Sequence, residues 1–145
     1  MLAPVYQPVY RPKTKSARPQ TQAQRLEALI GNTPLLDLSR TAVAHGLSPR
    51  VSLFAKAEWV NPGGSVKDRA ALNIIRTAEQ EGKLRPGMTL LDSTSGNTGI
   101  AYAMLGAVRG YRVMLTVPQN VSPERLAILR AYGAELIFTD PLEGT

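Results

Sequence analysis

The stretch over residues 89–117, TLLDSTSGNTGIAYAMLGAVRGYRVMLTV, decides the fold. It opens on a short apolar strand pattern, Thr89-Leu90-Leu91-Asp92, and breaks into a loop of hydroxyls and glycines. It then runs on as a helix over residues 97–109 that Gly110 ends. Tyr111-Arg112-Val113-Met114-Leu115-Thr116-Val117 follows as a buried strand. Strand, helix and strand in that order make a right-handed crossover between parallel strands. Working outward, Ser122-Pro123-Glu124 is an N-cap with proline at the first helical position, and Gly133 closes the helix it opens. Residues 134–139 read as a further strand. On the other side, a helix is expected over residues 65–81, closed by Gly82 and Pro86. Before it lie a strand over residues 51–57, an undefined connection over 41–49 and a short strand over 35–38. The turn Asn61-Pro62-Gly63-Gly64 separates the earlier strand from the helix. The expectation is an α/β fold, a mostly parallel sheet with flanking helices. No helix follows the last strand to cover it, so the chain reads as part of a larger α/β enzyme.

Charge divides the chain. Of the net +6, five charges (Arg11, Lys13, Lys15, Arg18 and Arg25) fall in residues 1–26, which hold no acid and include Pro4, Pro8, Pro12 and Pro19. This basic, proline-rich tail is expected to be disordered, with residues 27–145 forming the folded part. Tyr6 and Tyr10 could stack on bases, but five dispersed charges form no dense patch, which argues against a nucleic-acid partner. No apolar run reaches the ~20 residues that span a bilayer, and no signal-peptide pattern is present, which points to the cytoplasm and to no membrane partner. The chain has no cysteine, which excludes disulfides, thiolate metal sites and cysteine nucleophiles. No metal cluster is visible, and the single His45 sits in a polar connection as a loop residue. Lys56 and Glu58 read as a surface pair, and Trp59 as packing near a site mouth.

Two places concentrate chemistry. On the helix over residues 65–81, Ala71, Ile74, Ile75 and Ala78 form the inward stripe, and Lys67 extends it to the N-terminal end. Burial and the positive end of the helix dipole both disfavour an ammonium there, which would leave a nucleophilic amine. The bland alternative is a lysine that snorkels to solvent or pairs with Asp68. The second place is Ser93-Thr94-Ser95-Gly96-Asn97-Thr98-Gly99, where unpaired backbone N–H groups, four hydroxyls and an amide meet at a helix start. It suits a carboxylate or phosphate. Neither G-x-G-x-x-G nor a Walker loop is present, so nucleotides are disfavoured. Asn97 stands three residues before the stripe Ile100, Ala103, Met104, Ala107 and is expected to face inward with Lys67. Ordinary capping explains one of these polar residues, not five among two glycines.

Three motifs, Ile30-Gly31-Asn32-Thr33-Pro34-Leu35, Asn61-Pro62-Gly63-Gly64-Ser65-Val66-Lys67-Asp68-Arg69 and Thr94-Ser95-Gly96-Asn97-Thr98-Gly99, resemble the N-terminal signatures of fold type II pyridoxal-phosphate-dependent enzymes. The nearest branch is cysteine synthase with cystathionine β-synthase. The resemblance covers residues 28–145 and implies the N-terminal part of the two-domain, tryptophan-synthase-β-like fold. It implies pyridoxal 5'-phosphate as cofactor and Lys67 as the catalytic residue that forms a Schiff base with it and moves the substrate's α-proton. Asn97 would bind the cofactor's 3′-oxygen, and Thr94, Ser95, Asn97 and Thr98 the substrate's α-carboxylate. The implied reaction is β-replacement that forms L-cysteine from an activated serine of the O-acetylserine type and a sulfide donor, in a homodimer that takes a small amino-acid substrate.

The chain departs from the family in two ways. Asp92-Ser93 stands where Glu-Pro or a similar pair is expected. The family's phosphate-binding loop and its pyridine-nitrogen contact fall beyond Thr145, so residues 1–145 alone are expected to bind the cofactor weakly and turn over little. Within the same resemblance, serine condensing with homocysteine to give cystathionine is the alternative. Threonine synthases and dehydratases usually carry an aromatic where Val66 stands. A non-catalytic interaction module is the alternative of another class.

Overall fold

The computed structural model describes residues 21–142. The prolines and tyrosines of the tail, with four of its five cations, lie outside them. Its last residues do not match the expected boundary. Gln22–Glu27 is a helix, α1, and Thr21 closes a capping box at its start: its hydroxyl accepts from the Gln24 backbone, and the Gln24 side chain accepts in return. Glu27 is buried and holds Arg76 at 2.7 Å and Arg109 at 2.7 Å. A buried carboxylate at the foot of a capped helix ties this segment to the fold, and a low density of apolar residues hid it.

Leu35–Asp37 (β1) and Phe54–Lys56 (β2) pair antiparallel as a small separate sheet. Between them lies α2, Ser39–Ala44, where only a connection was expected. It has no side-chain cap and no buried residue, so it left no periodic signal in the sequence. A 3₁₀ turn at Glu58–Val60 leads into α3, Lys67–Gln80. Then come β3 Thr89–Ser93, α4 Asn97–Arg109, β4 Arg112–Pro118, α5 Pro123–Ala131 and β5 Glu135–Thr139. These three strands form one parallel sheet in the order β3-β4-β5. Ser122 caps α5 by accepting from Arg125 N–H, with Pro123 at the first helical position. Gly110, at φ +77°, ends α4 in the left-handed region.

The core lies between one face of this sheet and the helices. Val113, Leu115 and Val117 of β4 are buried against a cluster that includes Ile75 of α3, Leu105 of α4 and Leu129 of α5. The middle of α4, Gly99 to Gly106, is buried on every side. Gly106 packs so closely on Val113 that a Cβ there would strike the valine side chain. The other face of the sheet leaves Leu91 and Ile137 exposed. No helix among the described residues is long and apolar enough to cross a membrane.

The inward stripe of α3 is turned one position from the expected one. Asp68, Ala71, Leu72 and Ile75 are buried, whereas Ile74 is exposed. On α4, Ile100, Ala103 and Met104 are buried as expected, but Ala107 is exposed.

Candidate active site

Lys67 is the first residue of α3, and its side chain is exposed rather than buried. Helical geometry explains this. At ~100° per residue, a buried face centred on Asp68 and Leu72 swings Lys67 off it. Lys67 therefore lacks the burial that the apolar stripe implied, and what remains is its position at the N-terminal end of the helix. Asp68 does not pair with Lys67 either. It is fully buried, and its Oδ2 accepts from Gly63 N–H at 2.5 Å, inside the turn before the helix. Burial pushes the Asp68 carboxyl above its ordinary range, while the Gly63 bond pulls the other way. Its Oδ1 has no hydrogen-bond partner among the described residues.

The turn carrying Lys67 is held on a second side. Asn61 Oδ1 accepts from Gly31 N–H at 2.9 Å, and its Nδ2 donates to Glu58 Oε2 at 2.9 Å. Glu58 also takes both prongs of Arg69 at 2.9 Å and the Thr33 hydroxyl at 2.8 Å. The Arg69 fork, with help from Thr33 and Asn61, draws the Glu58 carboxyl down to about 2. Lys56 and Glu58 are thus not a pair. Lys56 instead donates to the Thr33 carbonyl at 2.5 Å. The sequence signal for the true arrangement was available: Glu58 and Arg69 flank the Pro-Gly-Gly turn that brings them together. Trp59 is 64% exposed, and the His45 ring is exposed with Nδ1 on Thr41 O, away from this cluster.

The nest is built differently. β3 ends at Ser93, and α4 starts at Asn97 with Gly96 as an N-cap that offers no side-chain bond. The first N–H groups of α4 therefore have no capping side chain. Thr94, Ser95 and Thr98 are half-buried around them, while Asn97 is exposed rather than turned inward. Among the described residues, the side chains of Ser95, Asn97 and Thr98 make no hydrogen bond, and Thr94 accepts only a long one, 3.4 Å, from Gly96 N–H. Gly99 lets the loop fold over the helix, since a Cβ there would lie 2.8 Å from Thr94 O.

One contact relates the two places. Glu79 of α3 is ion-paired with Arg109 of α4, and each is the thirteenth residue of its helix. Tyr111 also donates to Glu79 at 2.9 Å. Because the two helices pack together with these residues side by side, they run the same way. Lys67 and Asn97 then open the two helices at the same end of the pair. The bed of N–H and hydroxyl donors at that end suits an anionic group, a carboxylate or a phosphate, with the Lys67 amine at the same end of the helix pair. No group of His, Asp or Glu among the described residues could hold a metal ion.

Residues 26–145 match the family model described as "Pyridoxal-phosphate dependent enzyme". The chain belongs to this family. Its relatives among pyridoxal-phosphate dependent enzymes include cysteine synthase B of Salmonella typhimurium, 51% identical over 119 residues, a match covering 82% of this chain and 38% of the relative. Cystathionine beta-synthase of Saccharomyces cerevisiae is 43% identical over 127 residues, 87% of this chain and 25% of the relative. Among solved structures, O-acetyl serine sulfhydrylase isoform 3 of Entamoeba histolytica superposes with a TM-score of 0.77 at 36% identity, over 92% of this chain and 40% of that one. The chain thus spans well under half the length of each of these three proteins. The α/β architecture and the pyridoxal phosphate cofactor follow from this membership. The donor set fits that cofactor family: a primary amine on the first turn of α3 and unspent donors at the start of α4.

Proposed function

We propose that the protein to which this chain belongs replaces the β-substituent of an activated serine, of the O-acetylserine type, with sulfide to form L-cysteine. Membership of the family and the cysteine synthase relatives at about half identity support the reaction class. The observation that carries the assignment of residues is the Glu79–Arg109 pair, which sets Lys67 and the nest at one end of α3 and α4.

Pyridoxal phosphate, when bound, supplies the electron sink for removing the α-proton and releasing the group on Cβ. The chain's own residues do the rest. The Lys67 amine would hold the cofactor covalently and, once the substrate's amino group has displaced it, would be free to take and return the proton at the substrate's Cα. The side chains of Thr94, Ser95, Asn97 and Thr98, with the first N–H groups of α4, bind the substrate's carboxylate and fix its orientation. Asn97 also donates to the 3′-oxygen of the cofactor. In the balanced reaction, the Cβ–O bond breaks, a carboxylate leaves, and the sulfur forms the Cβ–S bond. The proposal extends to a homodimer working in the cytoplasm.

Condensation of serine with homocysteine is the second reading, favoured by the match to cystathionine beta-synthase over 127 residues. The test has two parts. After incubation with pyridoxal phosphate and borohydride reduction, peptide mapping is expected to find the label on Lys67, and Lys67→Ala to abolish it. Label spread evenly over Lys56, Lys67 and Lys83 defeats the assignment. Product analysis of the whole protein with sulfide against homocysteine then separates the two reactions.

A further inference from the structure

The start of α3 lacks what usually holds a helix end. Val66, at the cap position, offers no side-chain bond, and Lys67 N–H reaches only Ser65 Oγ at 3.2 Å. Asp68 N–H reaches Ser65 O at 3.4 Å and Arg69 N–H reaches Val66 O at 3.2 Å, so the first turn is held by long bonds only, and an exposed lysine on it has its direction set by the backbone beneath it. The Lys67 side chain makes no hydrogen bond or ion pair among the described residues. Two residues further on, Arg69 turns back from the same helical turn. Its Nη2 donates to Gly31 O at 2.9 Å, Thr33 Oγ1 at 3.1 Å and Glu58 Oε1 at 2.9 Å, while Nε donates to Glu58 Oε2 at 2.9 Å. Gly31 sits at φ +88°, and a Cβ there would lie 2.8 Å from Arg69 Nη1, so the turn is shaped to admit the guanidinium.

We propose that Arg69 and Glu58 are positioning residues for Lys67. Their two-pronged pair, anchored on the Gly31–Thr33 turn, reinforces the long bonds of that first turn and fixes the direction from which the lysine leaves α3. The proposal rests on Lys67 being the residue that takes the cofactor. It assigns work to the first signature, residues 30–35, which contributes no donor to the nest. A guanidinium is needed because only a planar fork can serve the carboxylate and the Gly31 carbonyl together. An ammonium serves one direction at a time.

The experiment uses the whole protein to which this chain belongs and its variants Arg69→Met, Arg69→Lys and Thr33→Val. Each is incubated with pyridoxal phosphate and reduced with borohydride, and the label on Lys67 is divided by the label on exposed Lys83. Amide hydrogen exchange over residues 63–70 is followed in parallel. Arg69→Met is expected to lower the label ratio about fivefold, the population change that loss of a helix cap brings, and to speed exchange across the first turn of α3. Arg69→Lys is expected to fall with it, and Thr33→Val to lie between. Should Arg69→Met prove unfolded, Thr33→Val, which removes only a hydroxyl, decides. An unchanged ratio, or full retention by Arg69→Lys, overturns the positioning role. If the unmodified chain labels Lys67 no more than Lys83, the assignment of Lys67 fails instead. Exchange alone then judges whether the clasp holds the helix start, and unchanged exchange in Arg69→Met overturns it.

Discussion

The turn before Lys67 and the loop before Asn97 each deliver a short polar motif to the start of a helix, yet they spend their hydrogen bonds in opposite ways. Around residues 61–65, the side chains of Asn61, Asp68, Glu58 and Arg69 bond one another and the backbone of the turns. Around residues 94–98, the hydroxyls and the amide are left nearly unused within the protein. Bonds spent internally fix geometry. Donors left free at a helix end are available to a ligand, and their desolvation is repaid only when it binds. The lysine region is built to be held in place and the nest to receive, so substitutions in the first should register in stability and in the second in binding.

The largest effect expected is from Gly63→Ala. A Cβ at that position would lie within 2.9 Å of the Asp68 carboxyl carbon, so the buried carboxyl must shift or lose its bond to Gly63. A loss of about 3 kcal/mol is expected in denaturant unfolding, and a loss below half of that breaks the contrast. Asn61→Ala comes next. Asn61 is only 3% exposed and links Gly31 to Glu58, so about 2 kcal/mol is expected by the same measurement.

Acid sharpens the comparison further. Glu58 ordinarily titrates near 4.5 and is drawn down to about 2 in the fold. A lowered folded value contributes stability that is complete above the ordinary range and lost as pH falls from about 4.5 towards 2. Asp68, raised by burial, has the opposite sign: its contribution is present at low pH and fades as pH rises through its folded value. Melting temperature is therefore expected to drop on acidification, and Glu58→Gln to flatten that drop. Glu79, also lowered chiefly by its bond to Arg109, leaves a residual slope. An identical slope in Glu58→Gln contradicts the clasp's electrostatics. The smallest effect belongs to the nest. Ser95→Ala and Thr98→Val should change stability by less than about 0.5 kcal/mol while weakening carboxylate binding by the whole protein in titration calorimetry.

Much of this was legible before any coordinates. The helix over residues 97–109 and the Ser122-Pro123 start of α5 are where capping and glycine signals put them. The three motifs sit at the helix starts and turns expected of them. What escaped the sequence shares one cause. α1 and α2 are six-residue helices whose stability comes from a capping box, a buried Glu27 or local backbone bonds rather than from an apolar stripe. The buried stripe of α3 lies one position from the one its apolar spacing indicates, because Asp68 is on the buried face and a charged residue does not count as inward in an apolar pattern. That single step exchanged the surroundings of Lys67 and Asp68.

Local order therefore came from the sequence: glycines that end helices, an N-cap with proline behind it, and apolar runs with the period of a strand dictate φ, ψ and element type from neighbours alone. The tertiary structure decided which side of α3 turns inward, which acid Arg69 grips, and that Glu79 meets Arg109 so that Lys67 and Asn97 open their helices at one end. Those outcomes depend on groups 11 to 38 residues apart in the chain meeting in space. No local propensity reports such a meeting, since it is set by how the helices pack on the sheet and by where a buried charge can find a partner.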